Sequence, residues 1–279
     1  MNELRLQFPL ARLLKAAGLA RSTFYWQLAS NKKPDKYADD KHQILTLFHK
    51  HKGRYGYRRI TLAVRRNGSQ LNHKTVQRLM QQLALKSCIR SKKYTSYKGG
   101  YGKAAGNVLN RQFSAVKPNQ KWVTDVTEFK IGGEKLYLSP ILDLYNGEIV
   151  AYQMGSHPRL SMVDEMLTKA LQVLSEGEYP LLHSDQGWQY QMAYYQKRLE
   201  AAGLKQSMSR KGNCYDNAVI ESFFGTLKTE CYRLEEYKSI SQLREGIAEY
   251  IDYYNHERIK QNLKGLSPVE YRTQAQLVA

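Results

Sequence analysis

Cysteine is scarce in this 279-residue chain. There are three, Cys88, Cys214 and Cys231, an odd number with no C-x-x-C pair. That excludes a disulfide framework and a zinc site built on thiolates, and leaves the thiols as inert side chains. Long apolar runs are missing as well. No window approaches the roughly 18 uncharged residues needed to cross a bilayer. Charges interrupt the opening stretch MNELRLQFPLARLLKAAG, which lacks the apolar centre of a signal peptide. Cytosolic residence is therefore expected, with no membrane partner. Acidic residues are rare in one part only. Residues 1–120 hold 4 Asp and Glu against 25 Lys and Arg, a net of +21; residues 121–279 hold 21 against 18, a net of −3. Such asymmetry marks the first part as a surface for a polyanion and makes nucleic acid the expected partner.

The basic part reads as helical. Leu10, Leu13, Leu14 and Ala17 recur at helix spacing before Gly18, and RSTFYWQLA follows with Ser22 as a candidate N-cap. The outline repeats: YRRITLAVRRNG stops at Gly68, and Asn72 caps HKTVQRLMQQLAL. Helix, glycine turn and helix make a helix-turn-helix outline, common in all-α proteins and suited here to DNA because of its charge. Arg58, Arg59, Arg65 and Arg66 on the first helix, with Lys74 and Arg78 on the second, are the candidate contacts to phosphates or bases. Residues 87–120 are rich in Gly, Ser, Lys and Tyr without a period and read as a linker. Its Lys92 and Lys93, among tyrosines, either track a nucleic-acid backbone or belong to a solvated spacer.

From residue 121 the period becomes that of strands. KWVTDVTEF alternates, with Asp125 in mid-strand. KLYLSPILDLY and EIVAYQM flank Asn146-Gly147 as a hairpin. MVDEMLTKALQVL is an amphipathic helix, YPLLHSD a short buried strand, AYYQKRLEAAG a helix and LKQSMS a strand. DNAVIESFFGTLKTECY and SISQLREGIAEYIDYYNHERI are helices. The pattern calls for a mixed sheet of five strands flanked by helices. Asp185 should stand at the carboxyl edge of that sheet, where open α/β folds bind ligands. Glu221 lies in an apolar helix, where a carboxylate is costly unless a cation meets it. Hard oxygen donors without Cys or His suit Mg2+ or Mn2+.

WVTDVTEF, LHSDQGWQY and SMSRKGNCYDNAVIESFFGTLKTE resemble the catalytic core of bacterial insertion-sequence transposases of the DDE superfamily, a core similar to retroviral integrase and RNase H. The likeness is closest to the second reading-frame product of the insertion sequence 3 family. Asp185 and Glu221 have 35 residues between them, the family's separation, and Lys228 matches a basic residue of its motif. RYGYRRI, NHKTVQRLM and YNHERIKQNLKGLSPVEY extend the likeness over nearly the whole chain. It implies an RNase H-like integrase core at 121–232. A helix-turn-helix region at 1–86 and a basic linker at 87–120 precede the core, and C-terminal helices at 233–279 follow it. It further implies that Asp125 bridges two divalent cations about 3.5–4 Å apart, with Asp185 holding one and Glu221 the other. The reaction implied is cleavage of double-stranded DNA at the element's terminal repeats, then strand transfer into target DNA by the freed 3′-hydroxyl. A homodimer or larger assembly on paired ends, and an upstream reading-frame product, are the protein partners implied, in a bacterial cytoplasm at the nucleoid.

Some assignments stay open at this stage. Lys228 either meets phosphate near the scissile bond or is structural. Asn217 either orients metals or DNA or caps its helix. His183 either supports the metal site by a hydrogen bond or is a satisfied core histidine. Asp143 and Asp216 read as structural, Trp188 packs under the metal site and Trp122 belongs to the core. His42, His49, His51 and His73 lack partners at zinc spacing, so the zinc-bound domain of retroviral integrase is not expected. Two alternatives to a transposase are a non-catalytic DNA-binding regulator and a general RNase H-like nuclease.

Overall fold

The computed structural model describes residues 3–31, 34–89, 105–210 and 213–278. Lys92 and Lys93 lie outside them. Among the described residues a short 3-10 helix, Leu4–Leu6, is followed by five α-helices: α1 (Leu10–Ala16), α2 (Arg21–Asn31), α3 (Ala38–Lys50), α4 (Tyr57–Arg66) and α5 (His73–Gln82). Gly18 and Gly68 take left-handed φ of 62° and 92°, the conformation glycine adopts without a Cβ penalty after a helix. Asn72 caps α5 by accepting the Lys74 N–H at 2.9 Å. Ser22 is not an N-cap, because α2 begins one residue earlier and the Ala20 carbonyl accepts from Phe24. Helix α3 is an addition to the expected pair of helix-turn-helix outlines. Its Ile44 joins Ile60, Val64, Val76 and Leu79 in a single core, so α3, α4 and α5 form one three-helix unit. Among the described residues no helix is long and apolar enough to cross a membrane.

The second part is a mixed sheet. Its strands are β1 (Lys121–Thr124), β2 (Thr127–Ile131), β3 (Glu134–Asp143), β4 (Ile149–Gly155), β5 (Leu181–Ser184) and β6 (Lys205–Met208). There are six rather than five, because the first expected strand is broken at Asp125 and Val126. Both halves pair antiparallel with β3, and the register runs through the break without a slip, from Thr124↔Ile141 to Thr127↔Leu138. Asp125 thus faces Pro140, which has no N–H for the ladder, and the Pro140 carbonyl accepts instead from Thr124 Oγ1 at 2.8 Å. Counted as ribbons, the order is β4, β3, β1 with β2, β5, β6, and β1, β5 and β6 are parallel.

Alternation along the strands gives the sheet two apolar faces. Trp122, Ile141 and Leu182 meet α6 (Leu160–Leu171) and α8 (Ala193–Ala201) on one side. Val123, Leu138 and Leu142 meet α9 (Ala218–Leu227) and α10 (Ile240–His256) on the other. Residues 105–111 are bolted to β6: the Val108 and Leu109 N–H groups both donate to Ser207 Oγ at 3.0 Å. That end of the expected linker belongs to the core.

Helix α9 continues as a π-helical turn, Lys228–Tyr232, and there the two parts meet. Glu230 is buried and takes a bidentate pair from Arg258, at 2.7 and 2.6 Å, with the Tyr250 hydroxyl at 2.9 Å. Arg59 approaches the same carboxylate at 3.7 Å, and Arg54 Nε donates to the Glu230 carbonyl at 2.8 Å. Ile259 completes the core of the three-helix unit. The last helix, α11 (Pro268–Val278), returns Glu270 to Arg66. The buried Glu230–Arg258 pair is costly to break from one side, and the helical unit docks on it through Arg54, Arg59 and the core around Ile259.

Candidate active site

The parallel pairing of β1 with β5 sets the centre. Val123 is aligned with His183, so Asp125 and Asp185, each two residues further on, leave neighbouring strands at the same level. Adjacent strands lie about 4.8 Å apart, which puts the two carboxylates at one point of the sheet's carboxyl edge. Asp125 is buried, and its Oδ1 accepts the Val126 N–H at 2.7 Å. Asp185 Oδ1 accepts the Gly187 N–H at 2.8 Å, a tight turn that opens the short helix α7 (Trp188–Gln191). Any Cβ at Gly187 would stand 2.9 Å from that oxygen. A side chain there would displace the carboxylate, so glycine leaves Asp185 where it is.

Electrostatics tie the remaining groups to this pair. Burial pushes the Asp125 carboxyl well above the usual range, and the charges of Asp185 and Glu221 push it further; Lys228 acts against them. Burial likewise raises Asp185, opposed by the Gly187 N–H. Two carboxylates sharing a dry site disfavour their joint ionisation unless a cation joins them. Lys228, two helical turns beyond Glu221, lies with its ammonium 5.3 Å from the Phe129 ring centre. Its own pKa is lowered, by burial first and by Arg233 next, while Glu128 and Asp125 pull it up.

Asn217 precedes α9 without capping it. Its Nδ2 donates to the Thr124 carbonyl at 3.4 Å, and its Oδ1 is buried with no partner among the described residues. An orphaned oxygen of this kind asks for a donor or a cation. Among the described residues no three His, Cys, Asp or Glu side chains stand close enough to enclose an ion. The donor set still fits a hard divalent cation: a buried carboxylate and a half-buried one in mutual repulsion, a third acid felt at the first, and an orphaned amide oxygen beside Thr124.

The other expected residues have other settings. His183 is fully buried, with Nδ1 2.8 Å from Ser207 Oγ and Nε2 3.1 Å from Ser209 Oγ. Both ring nitrogens are used, and burial lowers its pKa to about 4. Asp143 accepts the Asn119 and Tyr145 N–H groups, and Asp216 holds Arg111 and Asn107. Trp122 is fully buried, whereas Trp188 is 43% exposed. Arg58, Arg65, Lys74 and Arg78 are exposed on the helical unit. Arg59 and Arg66 instead face the C-terminal segment, Arg59 donating to the Ile259 carbonyl at 2.9 Å and Arg66 pairing with Glu270 at 3.1 Å.

Tyr190 escaped the sequence reading. It is buried, its hydroxyl has no hydrogen-bond partner among the described residues, and burial raises its pKa, with further contributions from Asp125 and Asp185. The signal was available: Tyr190 lies within one helical turn of Gly187, and its ring stands 3.2 Å from where a Cβ at Gly187 would lie.

Comparison with known proteins gives three family matches along the chain. An HTH-like domain matches residues 36–94, and integrase core domain families match residues 115–214 and 221–275. The chain is 56% identical over 274 residues to the putative transposase InsK for insertion sequence element IS150 of Escherichia coli, covering 98% of this chain and 97% of the relative. It is 31% identical to the transposase InsF for insertion sequence IS3A of the same organism, over 95% of this chain and 94% of that one. A transposase for element IS904 of Lactococcus lactis is 35% identical over 82% of this chain and 91% of its own. Among solved structures, the HTLV-2 integrase catalytic core domain matches 56% of this chain and 98% of its own, with 19% identity and a TM-score of 0.41.

Proposed function

We propose a division of labour for this chain, which belongs to the transposases of the insertion sequence 3 family: Asp125, Asp185 and Glu221 hold two divalent cations, Mg2+ or Mn2+, and Lys228 meets phosphate beside the scissile bond. The activity is that of an insertion-sequence transposase, cleaving DNA and transferring strands on an integrase core. When bound, such cations supply Lewis-acid charge to the attacking and leaving oxygens of an in-line displacement.

The residues divide as follows. Asp125 would contribute to both ions, as the family resemblance implies, and its burial between the other two acids is compatible with that. Asp185 is held for its ion by the Gly187 N–H, and Glu221 reaches the other from α9. Asn217 orients the centre through the orphaned Oδ1, and Tyr190 closes its floor. Lys228 keeps its ammonium on the Phe129 face and presents it to phosphate oxygens. The 3′-hydroxyl freed at an element end is the nucleophile for strand transfer, so no side chain of the protein is required to form a covalent bond to DNA.

Arg58, Arg65, Lys74 and Arg78 meet the terminal repeat, with Lys92 and Lys93 following the backbone. Assembly on paired ends as a homodimer or larger complex, together with an upstream reading-frame product, completes the reading, in the cytoplasm at the nucleoid. The single observation that carries it is the aligned exit of Asp125 and Asp185 from paired parallel strands, with the charge of Glu221 felt at the same point.

The test is nicking and joining of a duplex carrying the element's end, with Mg2+ or Mn2+. Asp185→Asn should lower the nicking rate on the order of 10²–10³-fold or more, as loss of a principal electrostatic element does. An unchanged rate would overturn the assignment.

A further inference from the structure

Beside the acid centre lies a second concave surface that the proposed chemistry leaves unused. A cavity of about 620 Å3 opens between the helical unit, α9 and the C-terminal segment, lined among others by Arg59, Ser222, Thr226, Arg258, Lys260 and Asn262. This volume falls within the range of clefts that hold a small organic ligand, roughly 300–1,000 Å3. Its chemistry is one-sided. No Asp or Glu lines it among the described residues. Arg59 and Arg258 share the single carboxylate of Glu230, which leaves one positive charge between them. Lys260 adds another. Its ammonium donates to the Asn146 and Gly147 carbonyls at 3.3 and 3.1 Å and sits 4.8 Å from the Tyr254 ring centre. These partners carry dipoles but no formal charge, and they use two of its three N–H donors.

Position argues for the same ligand. Ser222 presents its hydroxyl from α9, while that of Thr226, one turn on, donates to the Ser222 carbonyl at 2.9 Å, and Ser222 directly follows Glu221. At about 100° of rotation per residue, the cleft and the acid centre occupy neighbouring faces of one helix. Hydroxyls, side-chain amides and cations are the groups that contact phosphate oxygens without reading bases. We infer that this cleft binds the phosphodiester backbone of DNA continuing from the acid centre, so that one strand is held at both faces of α9. The inference rests on the proposed reading of the acid centre, and it deepens that reading by assigning a second contact on the same substrate.

The experiment measures binding of the full chain to DNA in a chelator, where no cleavage occurs, so its outcome is separate from any failure of Asp185→Asn to abolish nicking. Two variants are compared with wild type. Lys260→Gln removes the charge. Asn262→Asp adds a repelling carboxylate at an exposed position, where folding is unaffected, and guards against loss of the Lys260 anchor on the hairpin. Each is titrated by fluorescence anisotropy against a duplex carrying the element's end and a scrambled duplex of equal length. Both variants should weaken binding by roughly three- to tenfold, and Lys260→Gln should reduce the slope of log K on log salt by about 1. Equal losses on both duplexes support a cleft for any DNA backbone, and losses confined to the end duplex support one filled by the element's own strand. Unchanged affinity and slope on both duplexes overturn the inference, as does weakening by Lys260→Gln without weakening by Asn262→Asp.

Discussion

Replacing Gly187 by alanine isolates the geometry of Asp185 from the stability of the fold. Gly187 has φ −57° and ψ 142°, a backbone conformation open to any residue, so alanine brings no strain. Less freedom in the unfolded chain should even stabilise by roughly 0.4–1 kcal/mol. The new methyl, however, would stand 2.9 Å from Asp185 Oδ1 and 3.2 Å from Tyr190 Cδ2. Ordinary contact at about 3.5 Å or more requires one of them to yield, and Tyr190 is packed in the core while the carboxylate is the end of a rotatable side chain. Asp185 therefore moves by around half an ångström. A misplacement of about 1 Å costs on the order of 10²-fold in rate, so nicking should fall roughly tenfold. More Mg2+ should be needed for half-maximal rate, with Tm unchanged or slightly higher. The assay is single-turnover nicking over a Mg2+ titration, alongside a thermal melt. Wild-type nicking at wild-type Mg2+ dependence would refute the reasoning, because the carboxylate would then tolerate displacement.

Other outcomes follow from named contacts. Glu230→Gln strands Arg258 in a buried setting and should cost about 3–5 kcal/mol, read as a lower urea midpoint. A loss below 1 kcal/mol would mean that the clamp is not desolvated. His51 and His183 both have pKa lowered to about 4, burial being the main cause. The unfolded chain, with histidine pKa near 6.5, then binds more protons between those values, so stability is full above about 6.5 and is lost as pH falls toward 4, by at most roughly 3 kcal/mol for each histidine. Urea melts at pH 7 and pH 5 on wild type and on His51→Gln check this, because the raised carboxyls of Asp125, Asp143 and Asp185 act in the opposite direction in both chains; an equal midpoint change in the two would contradict it. Arg65→Ala should reduce the salt slope of DNA binding by about 1 with stability kept. Arg59→Ala should lower both stability and DNA affinity, because the side chain is held by Ile259 and Glu230 and also lines the cleft; a loss of affinity with stability kept would contradict this placement.

Much of this protein was legible in one dimension because the relevant signals are local. Helix and strand periods record which face of each element is buried, and α4, α5, β5 and α9 follow from them. The charge split separates the polyanion-binding part before any contact is known. The motifs around Asp125, Asp185 and Glu221 carry the family resemblance, and the short turn at Gly187 is written beside the acid it serves. Tertiary structure decided whatever depends on residues far apart. Pro140 breaks the first strand from across the sheet. Arg59, in the same basic run as Arg58, is withdrawn from solvent by Ile259 and Glu230, some 200 and 170 positions away. Asn217 loses its capping role because its amide meets the Thr124 carbonyl. Local sequence fixes the face an element buries through backbone geometry. Which partner covers that face is settled by packing and desolvation summed over the whole chain, and no short window contains that sum.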